Sequence, residues 1–202
     1  MLRSSLLVAV LLAAPAWARQ DPPPARPPFS QADAESLGRK LEAIKKRNLE
    51  TGQKRRETVT VSESELNSYL NLTYAAQMPP GISDVDVRFK VDLVQARGIL
   101  DLDRVRDKMP AQSPWSPLAL LRGKVPIELS GRLDTRDGFG TLQVEEASIA
   151  SVPVPMAFLE EIVSYATKNA TDPDGIDIHS PFRLPYAMNR VRFELTRAVL
   201  YF

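Results

Sequence analysis

From Ile82 onward the side chains change polarity at every second position. Val85, Val87, Phe89, Val91 and Leu93 alternate with Asp84, Asp86, Arg88, Lys90 and Asp92. A period of two predicts one long strand with a covered face and a wet face. The same alternation returns at Val125, Ile127, Leu129, Gly131 and Leu133, set against Pro126, Glu128, Ser130, Arg132 and Asp134. Thr135 to Gly138 is turn chemistry, so a hairpin should run back through Gly140 to Ile149. Gly98 reads as a turn or bulge, Ile99 to Leu102 as a further extended piece, and the three prolines between Met109 and Pro117 as a break. Near the end, Val191, Phe193 and Leu195 alternate with Arg190, Arg192 and Glu194. A turn at Thr196-Arg197 and a final strand from Ala198 to Phe202 should follow.

Helical spacing appears in three places. Ser30 can cap a helix over 30–52 whose seam is Ala34, Leu37, Leu41 and Ile44. A short strand, Glu57 to Val61, leads into Ser62-Glu63-Ser64-Glu65, a capping box that opens a second helix ending before Pro79. Leu66, Tyr69, Leu70 and Thr73 to Tyr74 should be its covered face. A third helix is expected from Val152-Pro153-Val154-Pro155, with Met156, Leu159, Ile162, Val163 and Ala166 as a wide apolar stripe. Helices beside long antiparallel strands, without a repeat, make the fold class α+β.

The N-terminus changes the picture. Arg3 precedes a short apolar run, Leu6 to Ala14, and Ala16-Trp17-Ala18 has the form of a cleavage site, so residues 1–18 read as a signal peptide. Residues 19–29 hold five prolines and form a semi-rigid leader, leaving 30–202 as a single domain. The expected location is periplasmic or secreted. The chain has 202 residues and no cysteine, so a lipoprotein anchor, disulfides and thiol chemistry are all excluded.

With 26 basic and 25 acidic side chains there is no global field to attract nucleic acid. Charge is nevertheless local. Arg39, Lys40, Lys45, Lys46, Arg47, Lys54, Arg55 and Arg56 face only Glu42 and Glu50, which makes the first helix cationic. Such a segment is either a solvated face or a dock for anionic lipid headgroups through Lys45, Lys46, Arg47, Lys54, Arg55 and Arg56.

Catalytic motifs are sparse. His179 is the single histidine, and no G-x-S-x-G, P-loop or G-x-G-x-x-G is present. Asp84 with Asp86 and Asp101 with Asp103 would each place two carboxylates on one strand face, the least poor basis for a hydrolase. Asp172, Asp174 and Asp177 resemble part of a calcium loop but lack the closing glutamate. No metal or cofactor is expected. What remains is a long apolar sheet face, which helices must seal or an acyl chain can share.

Val61 to Asn67 opening a helix, the strand from Gly98, Ile127 to Gly131 with its hairpin, the helix Val154 to Tyr165, and Pro181 to Tyr186 together form a recognisable order of segments. That order resembles the LmeA-like phospholipid-binding proteins and periplasmic relatives with a tubular lipid-binding (TULIP-like) architecture. The resemblance covers 57–202; the basic first helix and the Pro-rich leader depart from it. It implies a long curved antiparallel sheet wrapped around a helix, a TULIP-like half-barrel, binding a phospholipid-like ligand without catalysis. Carried onto this sequence, the groove residues are Leu66, Leu70, Val87, Phe89, Val91, Ile127, Leu129, Val144, Phe158, Ile162 and Tyr165. The alternative is a periplasmic interaction or scaffold protein with a fully packed core, recruiting a partner through edge strands or the basic helix.

Overall fold

A computed structural model describes residues 29–51, 57–79, 81–106, 122–167 and 177–202. The signal-peptide segment, the leader up to residue 28, Lys54, Arg55, Arg56, Asp172 and Asp174 lie outside those residues. Helix α1 spans Gln31–Thr51. The Ser30 hydroxyl accepts the Asp33 N–H at 3.3 Å, and Ala34, Leu37 and Ile44 are buried along the expected seam. Strand β1 (Thr58–Ser62) runs into α2 (Glu63–Ser68) through the capping box. There the Glu65 N–H donates to Ser62 Oγ at 3.1 Å, and the Ser62 N–H donates to Glu65 Oε2 at 3.0 Å. Beyond Ser68 the expected single helix becomes a π turn at Tyr69–Thr73 and a 3₁₀ turn at Ala75–Gln77. The buried side chains of α2 are Glu65, Asn67 and Ser68, while Leu66, Tyr69 and Leu70 are half-buried.

The larger sheet has the order β2 (Ile82–Lys90), β3 (Leu93–Asp101), β4 (Lys124–Arg136), β5 (Phe139–Ile149) and β6 (Val152–Pro153), all antiparallel. A two-residue strand, β7 (Phe182–Arg183), pairs with the start of β5. The long strand expected through Leu93 is in fact a hairpin, turning at Val91-Asp92 with Asp92 at φ 56°. Leu93 pairs with Lys90, so it shares the face of Lys90 rather than that of Phe89. The third helix, α4 (Met156–Thr167), also starts later than expected, because Val152-Pro153 pairs with Ser148-Ile149 as β6 after a turn at Ala150-Ser151. Between β3 and β4 a short helix, α3 (Leu102–Arg106), takes in the residues after Asp101.

Two bulges interrupt the ladders. Asp84 and Val85 lie between the pairs Ser83–Ile99 and Asp86–Arg97, opposite Gly98, and Glu145 is the extra residue opposite Ser130-Gly131. Each bulge bends its strand and increases the local twist. A Cβ at Gly131 would lie 2.5 Å from the Gln143 carbonyl oxygen and 3.1 Å from Val144 Cα, both backbone atoms that cannot swing aside. Gly131→Ala is therefore expected to destabilise the protein by about 2 kcal/mol or more, read as a lower urea midpoint. The β4–β5 hairpin closes at Asp137-Gly138, with φ of 51° and 84°, as the sequence anticipates.

The smaller sheet has the order β1, β9 (Arg197–Tyr201), β8 (Arg190–Glu194), with its turn at Leu195-Thr196. It meets the larger sheet through β8. Thr135 Oγ1 donates to the Val191 carbonyl at 2.8 Å and accepts the Val191 N–H at 2.9 Å. The Phe89 and Phe193 rings stack at 5.1 Å. The protein is thus α+β, dominated by antiparallel sheet. Its buried apolar residues include two clusters. Val87, Phe89 and Ala198 form one, where the two sheets meet; Leu100, Leu102, Val125 and Ile149 form the other.

Candidate functional site

Strand β2 is an edge of the larger sheet, and its outward backbone groups need partners. Helix α2 and the π turn after it supply them from one stripe. The Phe89 N–H donates to Glu63 Oε1 at 2.6 Å. Two residues along the strand, the Val87 N–H donates to Asn67 Oδ1 at 2.7 Å and Asn67 Nδ2 donates to the Val87 carbonyl at 2.9 Å. Two further along, Asn71 makes the same pair of bonds with Val85, at 3.0 and 2.6 Å. Four helical residues rise about 6 Å and two strand residues about 6.7 Å, so steps of four on the helix keep pace with steps of two on the strand. This is why α2 buries amides rather than its apolar stripe. It also fixes Leu66 and Leu70 against the Val87–Phe89 cluster.

The lateral register places one apolar series across the sheet. Val87, Ala96, Leu129 and Ala147 form one row; Phe89, Val94, Gly131 and Val144 form the next. On the other side of the first row, Gly98, Ile127 and Ile149 pair laterally. Of the expected groove residues, Leu66, Leu70, Val87 and Phe89 are therefore brought together at one end. Ile127 packs against the second cluster, and Leu129 and Val144 lie between, half-buried. Val91 is elsewhere, 68% exposed on the β2–β3 turn. Phe158, Ile162 and Tyr165 fall on α4, but their side chains are outside the described set.

A groove of about 510 Å³ crosses β3, β4 and β5 and reaches Pro153 and Val154. Leu129, Ala96 and Ala147 contribute to its walls, as do Gln95, Arg97, Glu128, Ser130, Glu145, Glu146 and Ser148. Its size is that of an ordinary ligand pocket, and its lining mixes apolar and charged groups. Leu129 is the one residue shared between this groove and the expected lipid set. The polar groove residues carry no signal in the sequence beyond the alternation itself.

The basic helix is partly engaged. Lys40 Nζ contacts both Glu65 oxygens at 2.7 and 2.8 Å and the Thr60 carbonyl at 2.7 Å. Burial would raise the Glu65 carboxyl, but hydrogen bonds from Lys40, Ser36 and Ser62 outweigh it and hold the group below its ordinary value. Lys45 pairs with Glu42 and lies 5.7 Å over the Tyr186 ring, and Arg47 pairs with Glu57. Lys46 is exposed.

The carboxylate pairs do not assemble. Asp84 is exposed in the bulge, whereas Asp86 is buried against Arg88 and Asn67. Asp101 ends β3 and accepts the Arg104 N–H at 3.2 Å, while Asp103 belongs to α3. The expectation of two carboxylates on one strand face is therefore corrected at both places, by a bulge and by a helix start. Among the described residues no three histidine or acidic side chains are grouped to hold a metal, and no helix is long and apolar enough to cross a membrane.

His179 Nε2 lies 2.7 Å from Glu160 Oε1, tying the 177–181 loop to α4. The Glu160 hydrogen bond, reinforced by the charges of Glu160 and Asp177, holds the imidazole above its ordinary value. A raised value means that the tie stabilises fully below the unfolded value and fades as pH rises through the folded one. An NMR titration should show His179 titrating above 6.5, and Glu160→Gln should bring it back down.

Compared with protein-family models, curated proteins and solved structures, the chain has no match.

Proposed function

We propose that this protein is a non-catalytic carrier or sensor of a phospholipid-like, acyl-chain lipid in the cell envelope. The observation that carries the reading is the apolar series on β4 and β5. Leu129, Val144 and Ala147 remain half-buried between two buried clusters, on a face that is otherwise used as core. Each methylene moved from water onto such a strip contributes about 0.8 kcal/mol, so part of one acyl chain suffices for binding without any catalytic group. In this reading the two bulges supply the bends of a TULIP-like half-barrel. The leader-like N-terminus and the resemblance to lipid-binding proteins favour a periplasmic or secreted location.

Organic extraction of the purified protein, analysed by mass spectrometry, should yield roughly one lipid per chain. Clean extracts from folded protein purified from its own cells would contradict the reading.

A second reading, an interaction module with a dry core, is favoured by the outer edge of β5. Among the described residues no strand pairs there between Thr141 and Glu146, whereas β7 and β6 pair its two ends. Stoichiometric capture of an extended peptide on that edge, with no extractable lipid, would support it.

A further inference from the structure

We infer that the groove across β3, β4 and β5 binds a short, non-acidic oligosaccharide, on the sheet face opposite the acyl-chain strip. Lateral partners in an antiparallel sheet share a face. Gln95, Ser130 and Glu146 form one row, and Arg97, Glu128 and Ser148 form the next, with Pro153 opposite Ser148. All of them line the groove of about 510 Å³. Between the two rows runs the series Ala96, Leu129 and Ala147, whose side chains point to the other face and which meet the groove through their backbone. A groove on the apolar face would be walled by Val94, Gly131 and Val144 and by Gly98, Ile127 and Ile149, and none of these lines it. The groove therefore opens on the polar face.

One of its walls carries an uncommitted hydroxyl. Ser130 is 8% exposed, yet among the described residues its hydroxyl has no hydrogen-bonding partner. No polar side-chain atom among them is sealed away unpaired, so this hydroxyl reaches the groove. A polar side chain buried to this degree ordinarily bonds to protein, to water or to what the protein binds. Beside it Gln95 is half-buried and Glu146 is exposed, and neither has a side-chain partner among the described residues. The row thus presents an amide, a hydroxyl and a carboxylate on adjacent strands, at intervals of about 4.8 Å.

The other charges along the groove are matched. Arg97 pairs with Glu128 at 3.2 Å, and Arg132 pairs with Glu145 at 2.6 Å, which leaves Glu146 as the unbalanced charge. An acidic ligand would meet that carboxylate with no free cation to offset it. No aromatic ring lines the groove to stack a flat group, and an acyl chain would leave the polar row without partners. A sugar ring carries hydroxyls that both donate and accept around its rim, and a C–H face that can rest on Pro153. Such hydroxyls serve amide, hydroxyl and carboxylate together, and an amino substituent would pair with Glu146.

Amide-shift NMR of the full chain tests this with trisaccharides of glucose, mannose and N-acetylglucosamine, a glucosamine trimer and trigalacturonate, each at millimolar concentration. At least one neutral or amino sugar should shift the Gln95, Ser130 and Glu146 amides, and trigalacturonate should not. The glucosamine trimer should bind more tightly than the glucose trimer, and Glu146→Gln should remove that preference. Ser130→Ala should weaken binding by about fivefold or more, the loss of one hydrogen bond. Its urea midpoint should not fall, since the hydroxyl has no partner within the fold, and its co-extracted lipid should not change, since the acyl strip lies on the other face. No shift in the row with any neutral or amino sugar would overturn the inference. So would tightest binding by trigalacturonate, undiminished binding by Ser130→Ala, or a lowered midpoint in that variant.

Discussion

Asn67→Leu should lower the unfolding free energy by about 3 kcal/mol in urea melts followed by circular dichroism. Asn67 is 3% exposed, and its amide satisfies both the N–H and the carbonyl of Val87 while donating to Asp86 at 3.2 Å. Leucine fits the volume but leaves two buried backbone groups without partners, each worth about 1 to 3 kcal/mol. Asn67→Asp should be worse, since a carboxylate accepts the N–H yet opposes the Val87 carbonyl and Asp86. Asn71→Ala, in a half-buried position, should lose about 1 kcal/mol or more. An Asn67→Leu variant as stable as the parent would show that the edge of β2 finds other partners and that α2 is not what closes it.

Leu129→Arg should reduce co-extracted lipid at least about tenfold, because losing contact with only two methylenes already removes about 1.6 kcal/mol. Leu129 is half-buried in the row Val87–Ala96–Leu129–Ala147, where a long side chain can reach outward, so the variant is expected to fold. Leu129→Met conserves volume and should keep its lipid. A folded Leu129→Arg protein with an unchanged lipid load would remove this strip from the site.

The parts of the fold that could be read from the sequence are those with local causes. The Ser62–Glu65 box needs only a three-residue spacing, and the Asp137-Gly138 turn needs only two residues that accept positive φ. The apolar rows of β4 follow from a period of two. The misreadings also have a cause. Polarity alternates unbroken through Val91-Asp92, and valine-aspartate is weak turn chemistry, so nothing local marks the turn. A two-residue turn nevertheless pairs Lys90 with Leu93 and shifts the phase by one, which is why a continuous period of two puts Leu93 on the wrong face. Glu63, Asn67 and Asn71 stand at helical steps of four, a visible stripe, but a polar stripe ordinarily faces water. Only the open edge of β2, a tertiary fact, turns those side chains inward. The carboxylate pairs failed for a similar reason, since neither the bulge at Asp84 nor the helix start after Asp101 has a local signature. The packing of Lys45 over Tyr186 joins segments more than a hundred residues apart, which no short pattern encodes.

The most direct test of lipid binding on the sheet is methyl NMR of the full chain with a phospholipid carrying a nitroxide on its acyl chain. The account predicts that Ile127, Leu129 and Val144 methyls broaden, while those of Leu37 and Ile44 in the α1 seam keep their intensity. Uniformly sharp methyls at saturating lipid, or broadening as strong under α1 as on β4, would contradict it.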